Sequence, residues 1–167
     1  IKIHEMELKN APGEEKVGLY HKIGQIYREK INDMDEAIIA YKRAFDYDDR
    51  NMEVIETLLE LHEAIEDWMG QIELLKHRLH IVTEKEEIQA TRLQIASLFE
   101  EKLGDTRQAK TYYRAVINEA PKHKGALDAL ERIYVAEENY DELLEILSRR
   151  ILIAEEEPDK IAIYEKM

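Results

Sequence analysis

The chain has no cysteine among its 167 residues, which removes disulfides, thiolate nucleophiles and thiolate metal ligands together. That absence leaves the compartment open, since exported proteins can also lack cysteine. No apolar run approaches the roughly 18 residues of a membrane-spanning helix. The segment after Ile1 has no charged n-region followed by an apolar h-region, so export cannot be argued. Glycine (6), proline (3), phenylalanine (2) and tryptophan (1) are all scarce. No Gly-rich phosphate loop, nucleophile elbow or strand-flanked motif occurs, and no residue set recommends itself for catalysis. Positive charge is in deficit, with 24 Lys and Arg against 37 Asp and Glu, a net charge of −13. Nucleic acid and anionic membrane both reward clustered Lys and Arg and repel carboxylates, so neither is expected as a partner. A basic partner suits the charge.

What remains is 44% hydrophobic and 37% charged, a balance that suits a folded, helix-rich chain and argues against a disordered tail. Apolar residues recur at three- and four-residue spacing, and no stretch alternates strictly with period two. The expected elements are therefore helices only. The pattern also repeats at an offset of 72 residues. Ile23, Gly24 and Tyr27 fall on Ile95, Ala96 and Phe99; Ala37, Tyr41 and Asp49 fall on Ala109, Tyr113 and Pro121. Leu58, Ala64, Trp68, Leu75 and Arg78 fall on Leu130, Ala136, Tyr140, Leu147 and Arg150. A fixed period of this kind signals stacked copies of one unit, each unable to bury its apolar face alone.

The helices pair. First-of-pair (A) helices are expected at 14–31, 52–65, 86–103 and 123–137, and second (B) helices at 34–47, 68–82, 106–119 and 140–155. Asp33, Asn51, Asp67 and Asp105 stand where an N-cap side chain would accept from the next turn. Ile3, Met6 and Leu8 suggest the tail of a preceding B helix, and Ile161, Ile163 and Tyr164 the start of a fifth A helix. Together with a first residue that is not Met, these ragged ends predict a longer parent chain.

The slots Tyr20-x-x-Ile23-Gly24-x-x-Tyr27…Ala37-x-x-x-Tyr41-x-x-Ala44-x-x-x-x-Asp49 resemble the tetratricopeptide repeat (TPR), with Asp49 where proline is usual. Ile95-Ala96-x-x-Phe99…Ala109-x-x-x-Tyr113-x-x-Val116-x-x-x-x-Pro121 resembles it nearly as well. The even units depart: Gln71 and Leu143 fill the small slot of Ala37 and Ala109, and Arg78 and Arg150 stand opposite Ala44 and Val116. Leu59 and Glu131 are also large for their slots. The resemblance implies an all-α, right-handed alpha-alpha superhelix (solenoid) of about four TPR-like hairpins with partial flanking helices. Its divisions would be 1–13 (tail helix of a preceding repeat), 14–50 (repeat 1), 51–84 (degenerate repeat 2), 85–121 (repeat 3), 122–157 (degenerate repeat 4) and 158–167 (start of a further helix). Alternating strong and weak units look similar to a slice of a longer bacterial TPR array.

In such a stack the free side of the A helices lines a concave groove. Glu53, Glu56, Glu60 and Glu63 fall within about 80° of arc on the second A helix. They form either an acidic recognition stripe or simply the solvated face of a Glu-rich protein. Neighbouring A helices contribute His21, Gln25 and Arg28 on one side and Leu93, Ser97 and Glu100 on the other, followed by Asp128 and Arg132. TPR domains that clamp carboxylate tails present Lys, Asn and Arg on this surface, so the glutamates here predict rejection of acidic tails. His77 and His80 share a face near Glu73 and Glu84, but neither their spacing nor that of Asp46, Asp48 and Asp49 completes a metal motif. No metal or cofactor is expected. His62 takes an aromatic packing slot, and Trp68 closes a hairpin where Tyr140 does so in the last. The expected function is a non-catalytic scaffold or adaptor for a protein or peptide segment, basic or mixed in charge. The alternatives are an assembly module that self-associates through its open array ends, or a regulatory region of a larger multidomain protein.

Overall fold

A computed structural model describes residues 2–8, 11–154, 161 and 163. Among them every regular element is helical. The helices are α1 Lys2–Leu8, α2 Gly13–Ile26, α3 Met34–Tyr47, α4 Met52–Ala64, α5 Trp68–Leu79, α6 Lys85–Ser97, α7 Thr106–Glu119, α8 Lys124–Ala136 and α9 Tyr140–Ile153. The expected helices are all present, most with ends within two or three residues. Ile161 and Ile163 are helical too, while Tyr164 lies outside the described residues. The chain forms two compact units, 1–81 and 82–167.

In the first unit α2 packs on α3, α3 on α4 and α4 on α5. Its core is Ala37, Ile38, Tyr41, Ala44, Val54, Leu58 and Leu61, with Tyr20, Tyr27 and Phe45 packed around it. Side-chain size sets the approach of α2 to α3. Ala37 and Ala44 are fully buried, and a Cβ added at Gly24 would lie 2.6 Å from the Tyr41 ring. Close-packed interiors leave no slack for such an atom. Leu58, fully buried, contributes about 1.5–3 kcal/mol by leaving water.

In the second unit α6 packs on α7, α7 on α8 and α8 on α9. Ala96, Ala109, Val116, Ile117, Leu130 and Ile146 are completely buried, and Ala96 and Ala109 stand at the offset of 72 from Gly24 and Ala37. The oversized residues of the even hairpins are absorbed differently in the two units. Leu143 is simply buried, whereas Gln71 donates to the Leu59 carbonyl at 3.4 Å and leaves its Oε1 buried without a hydrogen-bond partner among the described residues.

The turns obey the offset as well. Asn32 and Gly104 have left-handed φ of 59° and 66°, and Glu66 and Glu138 of 57° and 54°. The next residue then caps the following helix through its side chain: Asp33 accepts from Glu36 N–H, Asp67 from Gly70, Asp105 from Gln108 and Asn139 from Glu142. These caps satisfy amides that have no partner inside the helix. α2 and α6 each end in a π-helical turn, Tyr27–Ile31 and Leu98–Lys102, which the sequence periodicity does not reveal.

Candidate functional site

The first unit carries the acidic row. Asn51 starts α4 by accepting from Val54 N–H at 3.2 Å. From there 3.6 residues per turn send Val54, Ile55, Leu58 and Leu61 inward, leaving Glu53, Glu56, Glu60 and Glu63 exposed. α2 and the turn after it meet this row with His21 and Arg28. Arg28, in the π turn, donates to Glu60 at 2.9 Å, and His21 Nε2 lies 3.3 Å from Glu53. Gln25 turns onto its own helix and donates to Glu29 at 3.1 Å. Arg28 therefore neutralises one of the four carboxylates, and His21 lies against a second. The side chains of Glu56 and Glu63 make no hydrogen bond or ion pair among the described residues. An open depression of about 580 Å³, lined by His21, Lys22, Tyr47, Asn51, Glu53 and Val54, borders the row.

The second unit has the same junction with its charges exchanged. Glu100, in the π turn after α6, accepts from Arg132 of α8 at 2.7 Å. The residues Arg28–Glu60 and Glu100–Arg132 both stand 32 apart, and one pair falls on the other at the offset of 72. Glu100 is nearly enclosed, because the Tyr113 hydroxyl also donates to it at 2.9 Å. Burial, and then the bond to Glu100, raise the Tyr113 phenol's pKa; the same carboxylate raises that of the Arg132 guanidinium. In the first unit the equivalent Tyr41 is raised by burial, with Arg28 opposing. Asp128 turns to Arg150 of α9 at 2.8 Å, and Arg150 also pairs with Glu131. Arg78, its counterpart at the offset of 72, buries an Nε with no hydrogen-bond partner among the described residues. Leu93 and Ser97 are half-buried beside these groups.

Two polar clusters lie on the other side of the A helices, and the sequence reading missed both. His62 is buried as a packing residue should be, yet its Nδ1 is 2.8 Å from Asp67 Oδ2. Asp67 also accepts from Gly70 N–H at 2.9 Å. Chiefly that backbone bond, with His62 adding to it, holds the Asp67 carboxyl below the usual range. An ionised carboxylate only accepts, so Nδ1 carries a proton, and in the neutral ring Nε2 is then an acceptor. A Cβ at Gly70 would fall 2.4 Å from His62 Nδ1, so this pair requires the glycine. In the second unit Arg114 of α7 occupies the corresponding space. It donates to the Tyr134 hydroxyl at 2.7 Å and pairs with Glu145 at 3.1 Å and with Glu142. Burial opposes the Arg114 charge, but Tyr134 and Glu145 outweigh it and raise its pKa. The missed signal was a fixed spacing of Arg, Tyr and two Glu across three helices.

His77 is committed to structure: its Nε2 is 2.8 Å from the Asp49 carbonyl oxygen, and its ring packs edge-on against Phe45. His123 caps α8 by accepting from Ala126 N–H at 3.2 Å. Among the described residues no group of three or more His, Asp or Glu is placed to hold a metal ion.

Family models described as tetratricopeptide repeat match residues 17–51, 90–123 and 126–161. A solved structure described as the crystal structure of MamA is 17% identical, with a TM-score of 0.55 over 98% of this chain and 85% of that one. A second, of MamA protein, is 23% identical with a TM-score of 0.55 over 90% and 82%. At such identities the likeness speaks for the fold alone. No curated protein matches the chain.

Proposed function

Because this chain belongs to the tetratricopeptide repeat family, we propose that it is a scaffold holding a protein or peptide segment against the exposed faces of its A helices. The family is generally non-catalytic, and its members are typically protein- or peptide-binding scaffolds. The observation that carries the reading is the α2–α4 face. The Arg28–Glu60 ion pair and the His21–Glu53 contact knit the helices into one surface, while Glu56 and Glu63 stay exposed and without an ion pair among the described residues. Fixed, unneutralised carboxylates beside a depression attract a segment with lysine or arginine and repel an acidic one. In the second unit the proposed surface is Leu93, Ser97, Glu100, Asp128 and Arg132. Its charges are largely satisfied internally, so specificity there rests on shape and on the exposed Arg132.

The test is a titration of a short lysine-rich peptide and its glutamate-rich counterpart, at low and high salt, followed by fluorescence anisotropy. The native chain is expected to bind the basic peptide, more weakly as salt rises. Glu56→Lys with Glu63→Lys is expected to abolish that binding while far-UV circular dichroism stays unchanged. Equal binding by this variant, with helicity retained, would remove the α2–α4 face from the function.

A further inference from the structure

On the side of α4 away from the acidic row, α3, α4 and α5 line an open cavity of about 310 Å³. That is at the small end of the roughly 300–1,000 Å³ of ligand sites, enough for one long side chain. Lys42, Asp46 and Glu73 stand in its wall with His62, Phe45 and His77. His62 is 2% exposed. With Nδ1 fixed by Asp67, the neutral ring offers Nε2 as an acceptor, and it makes no hydrogen bond among the described residues. Phe45 and His77 form an aromatic corner, their ring centres 4.9 Å apart.

The chain itself indicates what fits. Shifted by 72 residues, Lys42, His62, Gly70 and Glu73 become Arg114, Tyr134, Glu142 and Glu145. In the second unit the Arg114 guanidinium fills this place, bonded to the Tyr134 hydroxyl and paired with Glu142 and Glu145. In the first unit Glu73 keeps the place of Glu145 and His62 supplies an acceptor in place of the Tyr134 hydroxyl. The cation at this register is Lys42, an ammonium where the second unit has a guanidinium fork. Lys42 makes no ion pair among the described residues, and Asp46 is paired only with exposed Arg43 at 3.6 Å.

We infer that the α3–α4–α5 cavity is a docking site for an arginine side chain of a partner protein, which takes the position that Arg114 occupies in the second unit. Glu73 and His62 Nε2 would accept from the planar guanidinium, and the Phe45–His77 corner would cover its face. A lysine ammonium, compact and strongly hydrated, satisfies neither the fork nor the stacking. The inference does not rest on the α2–α4 face.

The experiment is a heteronuclear NMR titration of the whole chain with a capped Gly-Arg-Gly peptide and its Gly-Lys-Gly counterpart. The arginine peptide is expected to shift the amides of His62, Gly70 and Glu73, with the lysine peptide much weaker. Glu73→Gln should weaken binding about tenfold, the low end for a lost hydrogen bond to a charged group. Lys42→Arg supplies the guanidinium from within and should abolish the shifts, while its otherwise unchanged spectrum reports an intact fold. The inference is overturned by no shifts at these amides, by equal response to both peptides, or by undiminished shifts in Lys42→Arg. Shifts confined to Glu56 and Glu63 would also overturn it, while supporting the α2–α4 face.

Discussion

Two glycines of α2 should respond in opposite directions to the same substitution. Gly18 is exposed, and a Cβ built on it meets nothing within 4 Å. Gly18→Ala therefore collects only the gain in helix propensity, about 1 kcal/mol. Gly24→Ala collects that gain too, but its methyl lies 2.6 and 2.7 Å from two carbons of the Tyr41 ring. The ring cannot swing aside, because Tyr41 is 2% exposed and His21 stands edge-on to it at 5.2 Å. Overpacking of this kind costs about 1–3 kcal/mol. Gly24→Ala should thus end up neutral to about 2 kcal/mol destabilised, and the two variants should differ by about 1–3 kcal/mol. At roughly 2–4 °C per kcal/mol for a chain of this size, their melting midpoints separate by about 2–12 °C. Urea unfolding followed by far-UV circular dichroism measures the difference directly. If Gly24→Ala proves as stable as Gly18→Ala, then α2 and α3 do not approach as described, and the assignment of Gly24 and Ala37 as contact residues fails.

Ala109 is fully buried where α7 meets α6, so Ala109→Leu should cost about 1–3 kcal/mol in the same unfolding assay. Glu66 and Glu138 hold left-handed φ, a conformation costing an L-residue roughly 1–2 kcal/mol. Net of the extra unfolded-state entropy of glycine, Glu66→Gly and Glu138→Gly should each stabilise by about 0.5–1 kcal/mol, while Gly104→Ala should destabilise. Acid is expected to destabilise the fold. The carboxyl pKa is depressed in Asp67 chiefly by the Gly70 N–H, in Glu119 by Arg92 and in Glu137 by Lys110. A depressed folded pKa gives stabilisation that is complete above the unfolded value, roughly 4, and lost as pH falls below it. The urea midpoint should fall on acidification from about pH 5, less steeply in Asp67→Asn.

Interactions that are local or periodic are legible in the sequence. Asp33, Asn51, Asp67 and Asp105 each cap the helix that follows, because an N-cap needs only one acceptor and an amide three residues on. Gly24, Ala96, Ala37 and Ala109 recur at one offset, which marked the tightest helix contacts. The π turns escaped because they change the hydrogen-bond ladder without disturbing which residues are apolar. His62 was placed by its packing slot, but its bond to Asp67 has no counterpart at the offset of 72, where Tyr134 and Asn139 stand. The Arg114 cluster was lost for the same reason: sliding the chain along itself finds what the units share, and this is where they differ. Periodicity reveals that the glutamates of α4 face away from its buried residues, but not their contacts with His21 and Arg28, since partners 32 residues away belong to another helix.

The exchanged charges of Arg28–Glu60 and Glu100–Arg132 bear on how a chain built from near-copies avoids confusing them. Were α2 to settle beside α8 during folding, Arg28 would meet Arg132; were α4 to settle beside α6, Glu60 would meet Glu100. Each mismatched partnership sets like ions together at a junction whose correct form joins opposite ones. The reversal of sign thus acts as an address written on each hairpin, telling twins apart when hydrophobic surfaces alone would accept either neighbour.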